Sequence, residues 1–426
     1  MSIIKQLWLR LNPSRKMVQF LQTNFLVLII INSSNFFTYL FQVIIARSLP
    51  AADYGIFNAL NSFSIMVLAP LGVIPFIITR YTVRLGTNQL EQVKMLLWRF
   101  FQASFLIGIA LFIVGLLILP WLKAYLNITS NLPIIITIVT AVLSLFLPIL
   151  SSTLQGLHRL IAFSWVGTGS TIIRVILALI LVTWLGWEVN GALLTGLITT
   201  GIMLGICLWL LRDVLQQPLA PLPPGIFLEM ARYAVPVAIF GIFSTYAHNL
   251  DLVLVQHYLP EDSGHYATAT ILGKIAFFVP GVLAFVLFPE AAKNQEEGEE
   301  NPRFLWLTLW ATTLLGGGVA LVFNLFPEML ISLLFGKQYV ESAPLLQIIS
   351  IAMALLALSN VIFTYNLAHF RYGFLWFLAG GVGLLYSLIY FFHNTPLIIA
   401  QILLLSTALI FMGSLGWYVV ISRVKL

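Results

Sequence analysis

Charge is scarce in this sequence. Asp, Glu, Lys and Arg make up 8% of 426 residues, against about 25% in soluble domains. Between Arg371 and Arg423 there are 51 consecutive residues with none of them, and one bilayer crossing takes about 20 apolar residues. A soluble enzyme, a nucleic-acid binder and a secreted module are excluded. Cysteine is nearly absent too. Cys207 stands alone, which excludes an internal disulfide and a thiolate metal cluster. The six histidines are dispersed, without ligand-like spacing to carboxylates. There is no phosphate-cradling Walker pattern, and no outward loop has room for a catalytic domain. Neither an enzyme nor a cofactor is expected.

What is present is apolar, at 60% of residues. Twelve segments are long enough to span, roughly 24–46, 54–79, 96–119, 132–155, 161–185, 189–211, 233–256, 264–289, 304–327, 344–368, 373–393 and 397–421. Turn and breaker signals such as Leu49-Pro50, Gly186 and Pro396 separate them. The expected fold is therefore all-α and polytopic. Residues 1–23 lack the short apolar core and cleavage site of a signal peptide. Ile3, Ile4, Leu7, Trp8 and Leu11 instead share a helical face amid Lys5, Arg10, Arg15 and Lys16, the pattern of a leader lying on a membrane surface or of a frayed basic arm.

The net charge of +6 points to orientation rather than to nucleic acid, because its basic residues sit at loop ends. With the N-terminus inside, 16 lysines and arginines fall on the cytoplasmic side and three (Arg47, Lys123, Lys337) on the other. That asymmetry places both termini in the cytoplasm. The acidic run Glu296–Glu300 falls inside as a solvated loop.

The chain repeats itself. Gly55-Ile56-Phe57 and Gly72-Val73-Ile74-Pro75-Phe76 recur 209 residues later as Gly264-His265-Tyr266 and Gly281-Val282-Leu283-Ala284-Phe285. His158, Phe163 and Trp165 recur as His369, Phe374 and Trp376. With six spans per half, the repeat is parallel. The expected organisation is a six-helix bundle with its leader over 1–211, a proline-rich cytoplasmic linker over 212–225, and a second bundle over 226–426, around a central cavity.

Charges inside spans are costly and mark function. Arg174 and Lys274 lie near the midplane of the fifth and eighth spans, and Asp251 lies in the outer third of the seventh. Two cations against one anion suit a phosphate or carboxylate. Arg174 and Lys274 are the expected substrate contacts, and Asp251 either pairs with Lys274 or faces the cavity. Asn32, Asn35, Tyr39 and Gln42 line one face of the first span, matched by Ser244, His248 and Asp251 on the seventh. Of these, Asn32, Asn35 and His248 join the candidate substrate site, although such stripes also serve as interhelical hydrogen bonds. Pro70 and Pro75 interrupt the second span and Pro280 with Gly281 the eighth, at corresponding positions that suggest bending elements.

The stretch from Ala46 to Phe57, Ala-Arg-Ser-Leu-Pro-Ala-Ala-Asp-Tyr-Gly-Ile-Phe, resembles the first periplasmic turn of polysaccharide-biosynthesis flippases. These are the O-antigen (Wzx-type) members of the multidrug/oligosaccharidyl-lipid/polysaccharide exporter superfamily. Asp251-Leu252-Val253-Leu254, Gly264-His265-Tyr266-Ala267, Gly273-Lys274, Phe288-Pro289 and Gln155-Gly156-Leu157-His158-Arg159 are similar to the same family. The resemblance implies movement of a polyprenyl-diphosphate-linked oligosaccharide to the outer leaflet by alternating access coupled to H⁺ or Na⁺. On that reading Asp251 either modulates the charge of the cavity or binds the coupling cation. Membrane lipids and glycan-assembly proteins would be its partners. A multidrug exporter of the same superfamily is the alternative, and would call for an acidic cavity.

Overall fold

The computed structural model describes residues 15–86, 89–223, 225–281, 302–369 and 371–424. The amphipathic leader to residue 14, Pro289 and the acidic run Glu296–Glu300 lie outside them. Every regular element among the described residues is helical. Among the described residues ten helices are long and apolar enough to cross a membrane, from Ala51–Leu85 to Pro396–Ile421. They coincide with the second to seventh and ninth to twelfth segments expected from hydropathy. The first segment lies on α1 (Arg15–Ser48). The eighth starts on α11 (Ser263–Gly273) and leaves the described residues after 281. The chain is a multi-pass membrane protein.

Several spans are broken, each for a local reason. The second runs through α2 (Ala51–Leu68), a 3₁₀ turn (Ala69–Val73) and α3 (Ile74–Leu85). Pro70 and Pro75 each open the segment that follows them, where a missing N–H costs nothing. The fourth is split into α5 (Leu132–Ser144) and α6 (Leu147–Gly156), with Pro148 in the first turn of α6. The eighth differs from expectation. Pro280 and Gly281 lie inside a helical stretch over 275–281, and the interruption falls at Lys274. Pro280 lacks the N–H that would bond the Ala276 carbonyl one turn upstream, and the break at Lys274 lies next to Gly273, which is pressed against Ile349.

Of the remaining elements, α4 (Leu90–Tyr125), α7 (Leu160–Ala178) with a π turn (Leu179–Trp184), α8 (Glu188–Leu210) and the short α9 (Arg212–Leu215) precede the linker. After it come α10 (Ile226–Tyr258), α11, α12 (Pro302–Leu325), α13 (Pro327–Leu334), α14 (Ala343–Ala368), α15 (Phe374–Phe391) and α16 (Pro396–Val424).

The core is not shared evenly along the bundle. One large cluster joins both sides of the linker, with Ile45, Tyr54 and Phe57 packed in common with Tyr266, Tyr339 and Leu346. Its seam lies at the far end, away from the linker. There α2 and α11 cross so tightly that a Cβ on Gly264 would lie 1.8 Å from the Ala51 carbonyl oxygen, and one on Gly55 would lie 1.8 Å from Ser263 Oγ. Both glycines belong to the internal repeat, so the two copies of one motif touch each other. Around the crossing, Arg47 donates to the Leu333 and Leu334 carbonyls, and Tyr339 and Gln338 donate to the Ala46 carbonyl. Gln256 donates to Leu126, the His257 Nδ1–H to Tyr125, and Asn127 to His257.

At the linker end the packing divides. One cluster holds Ile78, Tyr81, Leu97, Leu154 and Cys207. Another, with no residue in common, holds Leu305, Val361, Ile362, Tyr365 and Tyr418. The first turns of α10 go with the former, through Ile226 and Met230. Beyond Pro236, which lies inside α10, Phe240 packs edge-on against Phe363 and Phe374. Among the described residues, the segments before and after the linker share one cluster at the far end and hold separate clusters near the linker, with α10 contributing to the shared cluster and to the first of the separate ones.

The linker is pinned to the first group. Arg159 binds Asp213 through both guanidinium nitrogens, and Lys94 donates to the Gln217 carbonyl. Arg159 beside it holds the Asp213 carboxyl below its ordinary value. This contact is present above the unfolded carboxyl value, near 3.9, and is lost as pH falls through the lower native one. Because both side chains are partly exposed, Asp213→Asn is expected to weaken the attachment by only about 0.7 kcal/mol. Trypsin cleavage after Arg212 should then quicken by about threefold. An unchanged rate would mean that the pair does not hold the linker.

Candidate functional site

Arg174 sits on α7, one turn before the π turn. Its guanidinium carbon lies 4.3 Å from the centre of the Phe41 ring on α1, stacked over it. A Cβ on Gly196 of α8 would come within 3.9 Å of its Nη2 and 3.8 Å of Thr140 Cγ2. These are ordinary contact distances, so α8 passes beside the guanidinium at van der Waals range. Thr168 fixes α7 against α1 by donating to the Ile30 carbonyl at 2.6 Å. Among the described residues no carboxylate or hydrogen-bond acceptor faces Arg174, and its buried Nε has no partner. A cation–π contact supplies part of what is missing, but a buried guanidinium without an acceptor is an open demand for an anion.

The second group of charges lies between α10 and α11. Asp251 is fully buried. Its Oδ2 accepts a 3.0 Å hydrogen bond from Tyr266 OH, and its Oδ1 has no partner. Lys274 donates instead to Asn249 Oδ1 at 3.2 Å. Asp251 and Lys274 are electrostatic neighbours that hold separate hydrogen-bond partners rather than one ion pair. Asn249 is oriented by its own bond to the Thr245 carbonyl, at 2.8 Å. His248 donates from Nδ1 to the Ser244 carbonyl and meets Phe277 edge-on, with its buried Nε2 unpartnered.

The interruption at Lys274 has a role here. It ends the helix at Gly273, and the lysine is the cap residue. The lysine keeps helical dihedrals and its carbonyl accepts from Phe278 N–H, so the break is one residue wide and the helical course continues past the point where the ammonium meets α10.

The other expected residues divide. Asn35 is exposed on α1, while the Asn32 side chain lies outside the described residues. Gln42 from the same stripe accepts from Tyr54 OH at 3.2 Å, a bond between α1 and α2 beside the far-end seam. No described contact joins Arg174 to Lys274, His248 or Asp251, so the charged residues form two separate groups, one on each side of the linker. Sequence reasoning missed Phe41, Tyr266 and the bridging role of Asn249. A buried tyrosine seeks a partner for its hydroxyl, so Tyr266 in a span next to one bearing an aspartate was a usable signal. Phe41 gave none.

A family model described as "Polysaccharide biosynthesis protein" matches residues 44–344. The chain belongs to that family. No curated protein matches the sequence. Among solved structures, the fold is similar to an inward-facing multidrug resistance MATE family transporter of the MOP superfamily, with TM-score 0.72 and 14% identity over 92% of this chain and 96% of that one. It is similar to the lipid II flippase MurJ in an inward closed conformation, with TM-score 0.71 and 13% identity over 92% and 87%. An outward-facing MATE transporter fits less well, at TM-score 0.57 and 14% identity over 94% of each chain. At this identity the likeness is one of fold, and this family member has the helical fold of those transporters.

Proposed function

We propose that this protein flips a lipid-linked oligosaccharide, carried on a polyprenyl diphosphate, across the cytoplasmic membrane by alternating access coupled to H⁺ or Na⁺. The observation that carries the reading is Arg174, a buried cation whose Nε has no acceptor, with Lys274, which donates to the Asn249 amide and has Asp251 as its electrostatic neighbour, as the second cation. A substrate bearing a diphosphate would supply the missing charge, whereas an organic cation would be repelled. Family membership supports the glycan, and the similar MurJ is by its name a lipid flippase. The sealed far end and divided linker end support one of two alternating states. The excess of lysine and arginine on the linker side supports cytoplasmic termini. In this reading the segments 1–211 and 226–426 are the moving bundles, Asn32, Asn35 and His248 contact sugar, Asp251 binds the coupling ion, and Pro70, Pro75, Pro280 and Gly281 permit bending. Glycan-assembly proteins would work beside it.

The test uses purified protein in liposomes with a fluorescent polyprenyl-diphosphate sugar. Transfer between leaflets by the wild type, and its loss by at least about tenfold in folded Arg174→Gln, are expected. Export of a lipophilic cation without glycan transfer would establish the multidrug reading instead.

A further inference from the structure

A groove of about 500 Å³, lined by uncharged residues, opens on the outer surface of the second helix group. One wall is α12, with Trp306, Trp310, Thr313, Gly317 and Leu321, and the other is Phe411 and Leu415 of α16, with Leu358 of α14 between them. Both α12 and α16 pack on α14. The spacing of the α12 residues is that of one helical face. Arg303, exposed in the first turn, precedes Trp306 by three positions and Trp310 by seven, and so heads the same stripe.

The glycines on this helix do not all have the same cause. Gly316 is required by packing, since a Cβ there would lie 2.9 Å from the Ala276 carbonyl oxygen. Gly317 and Gly318 have nothing within 4 Å of that position. Each costs about 1 kcal/mol relative to alanine in a helix interior, and among the described residues no neighbour requires either. They keep the groove open.

We infer that this groove binds the methyl-branched chain of a prenyl phosphate lipid, with the phosphate at Arg303. The inference rests on the proposed reading for the choice of an isoprenoid carrier. A straight acyl chain lies equally well against leucine or alanine, so it gives no reason for paired glycines. A chain with a methyl branch on every fourth carbon needs side clearance along its length, which two adjacent residues without side chains provide. A cation at the head of an apolar trough matches a lipid with a phosphate at the end of its chain. The tail of the flipped lipid would then stay against the outside of this helix group while its polar head is handled between the bundles.

The test is photolabelling in phosphatidylcholine nanodiscs with decaprenyl monophosphate carrying a mid-chain diazirine. No sugar is present and no transport is read, so failure of the flippase reading and failure of this site are separable. Label is expected on peptides covering 306–321 and 411–415. Gly318→Leu, which adds a side chain to open space, should lower it by at least about fivefold, and Gly317→Leu should do the same. Gly380→Leu, equally unobstructed on α15, should leave it unchanged. Arg303→Gln should remove the preference for the phosphate over uncharged decaprenol. Equal displacement of the label by phosphatidylglycerol, label spread evenly over the lipid-facing helices, or full labelling of both filled variants would each overturn the assignment.

Discussion

Gly264→Ala is expected to unfold well below the wild type in detergent, with a cost of about 2–3 kcal/mol or more. The added methyl would sit 1.8 Å from the Ala51 carbonyl oxygen and 2.5 Å from its carbon. These are backbone atoms of a helix start, which no rotamer change can move aside. The helices α2 and α11 must part, and parting them loosens the aromatic contacts beside the crossing, among them Tyr54 with Tyr339 at 5.9 Å and Tyr54 with Phe335 at 6.4 Å. The comparison is Gly383→Ala, where nothing lies within 4 Å and removing a helical glycine should be neutral or slightly stabilising. If the two variants unfold at the same temperature, the crossing does not hold the two helix groups together. A second readout separates opening from unfolding: in folded Gly264→Ala protein, a cysteine placed at Tyr54 in a Cys207→Ser background should react faster with a water-soluble maleimide.

Lys274→Met is expected to cost about 3–5 kcal/mol, the range seen when one member of a buried charge group is removed. Asp251 is wholly buried, with one carboxylate oxygen unpartnered, and Lys274 is the cation in its electrostatic surroundings. Removing the ammonium strands that charge and also leaves Asn249 Oδ1 without its donor. The double variant Lys274→Met/Asp251→Asn should recover most of the loss, since nothing charged then remains buried there. Such a non-additive cycle, with a coupling of about 1–3 kcal/mol, would mark the two residues as one unit even though they do not touch as an ion pair. Strict additivity in unfolding measurements would show that they act independently.

Much of this architecture could be read from the chain alone, because hydropathy, proline and repeat spacing act locally. The ten complete spans coincide with expected segments, and Pro70 and Pro75 stand where the second span breaks. The interruption at Lys274 was not legible, since hydropathy carries no mark of it; it adjoins the close approach of Gly273 to Ile349 from α14. The same holds for the charged groups. Arg174, Asp251 and Lys274 announce themselves by their cost in a membrane. Their partners Phe41, Tyr266 and Asn249 are set by which helices become neighbours, which periodicity does not encode. Gly55 and Gly264 were visible as a repeat, but their contact with each other was not. Nor could the sequence show that α10 begins its course among the first group of helices and ends it in the second.

Every hydrogen bond named across the far-end seam, from Arg47, Gln338, Tyr339, Gln256, His257 and Asn127, ends on a main-chain carbonyl. Any residue can present that acceptor, so the lock is specified from one side only. Relatives of this chain are therefore free to drift at Leu333, Leu334, Ala46, Leu126 and Tyr125 as far as the acceptors are concerned, while the donor side chains carry the identity of the closure. A seam built this way can also be remade after every opening without matching side chain to side chain, because its acceptors are held in place by backbone that stays folded.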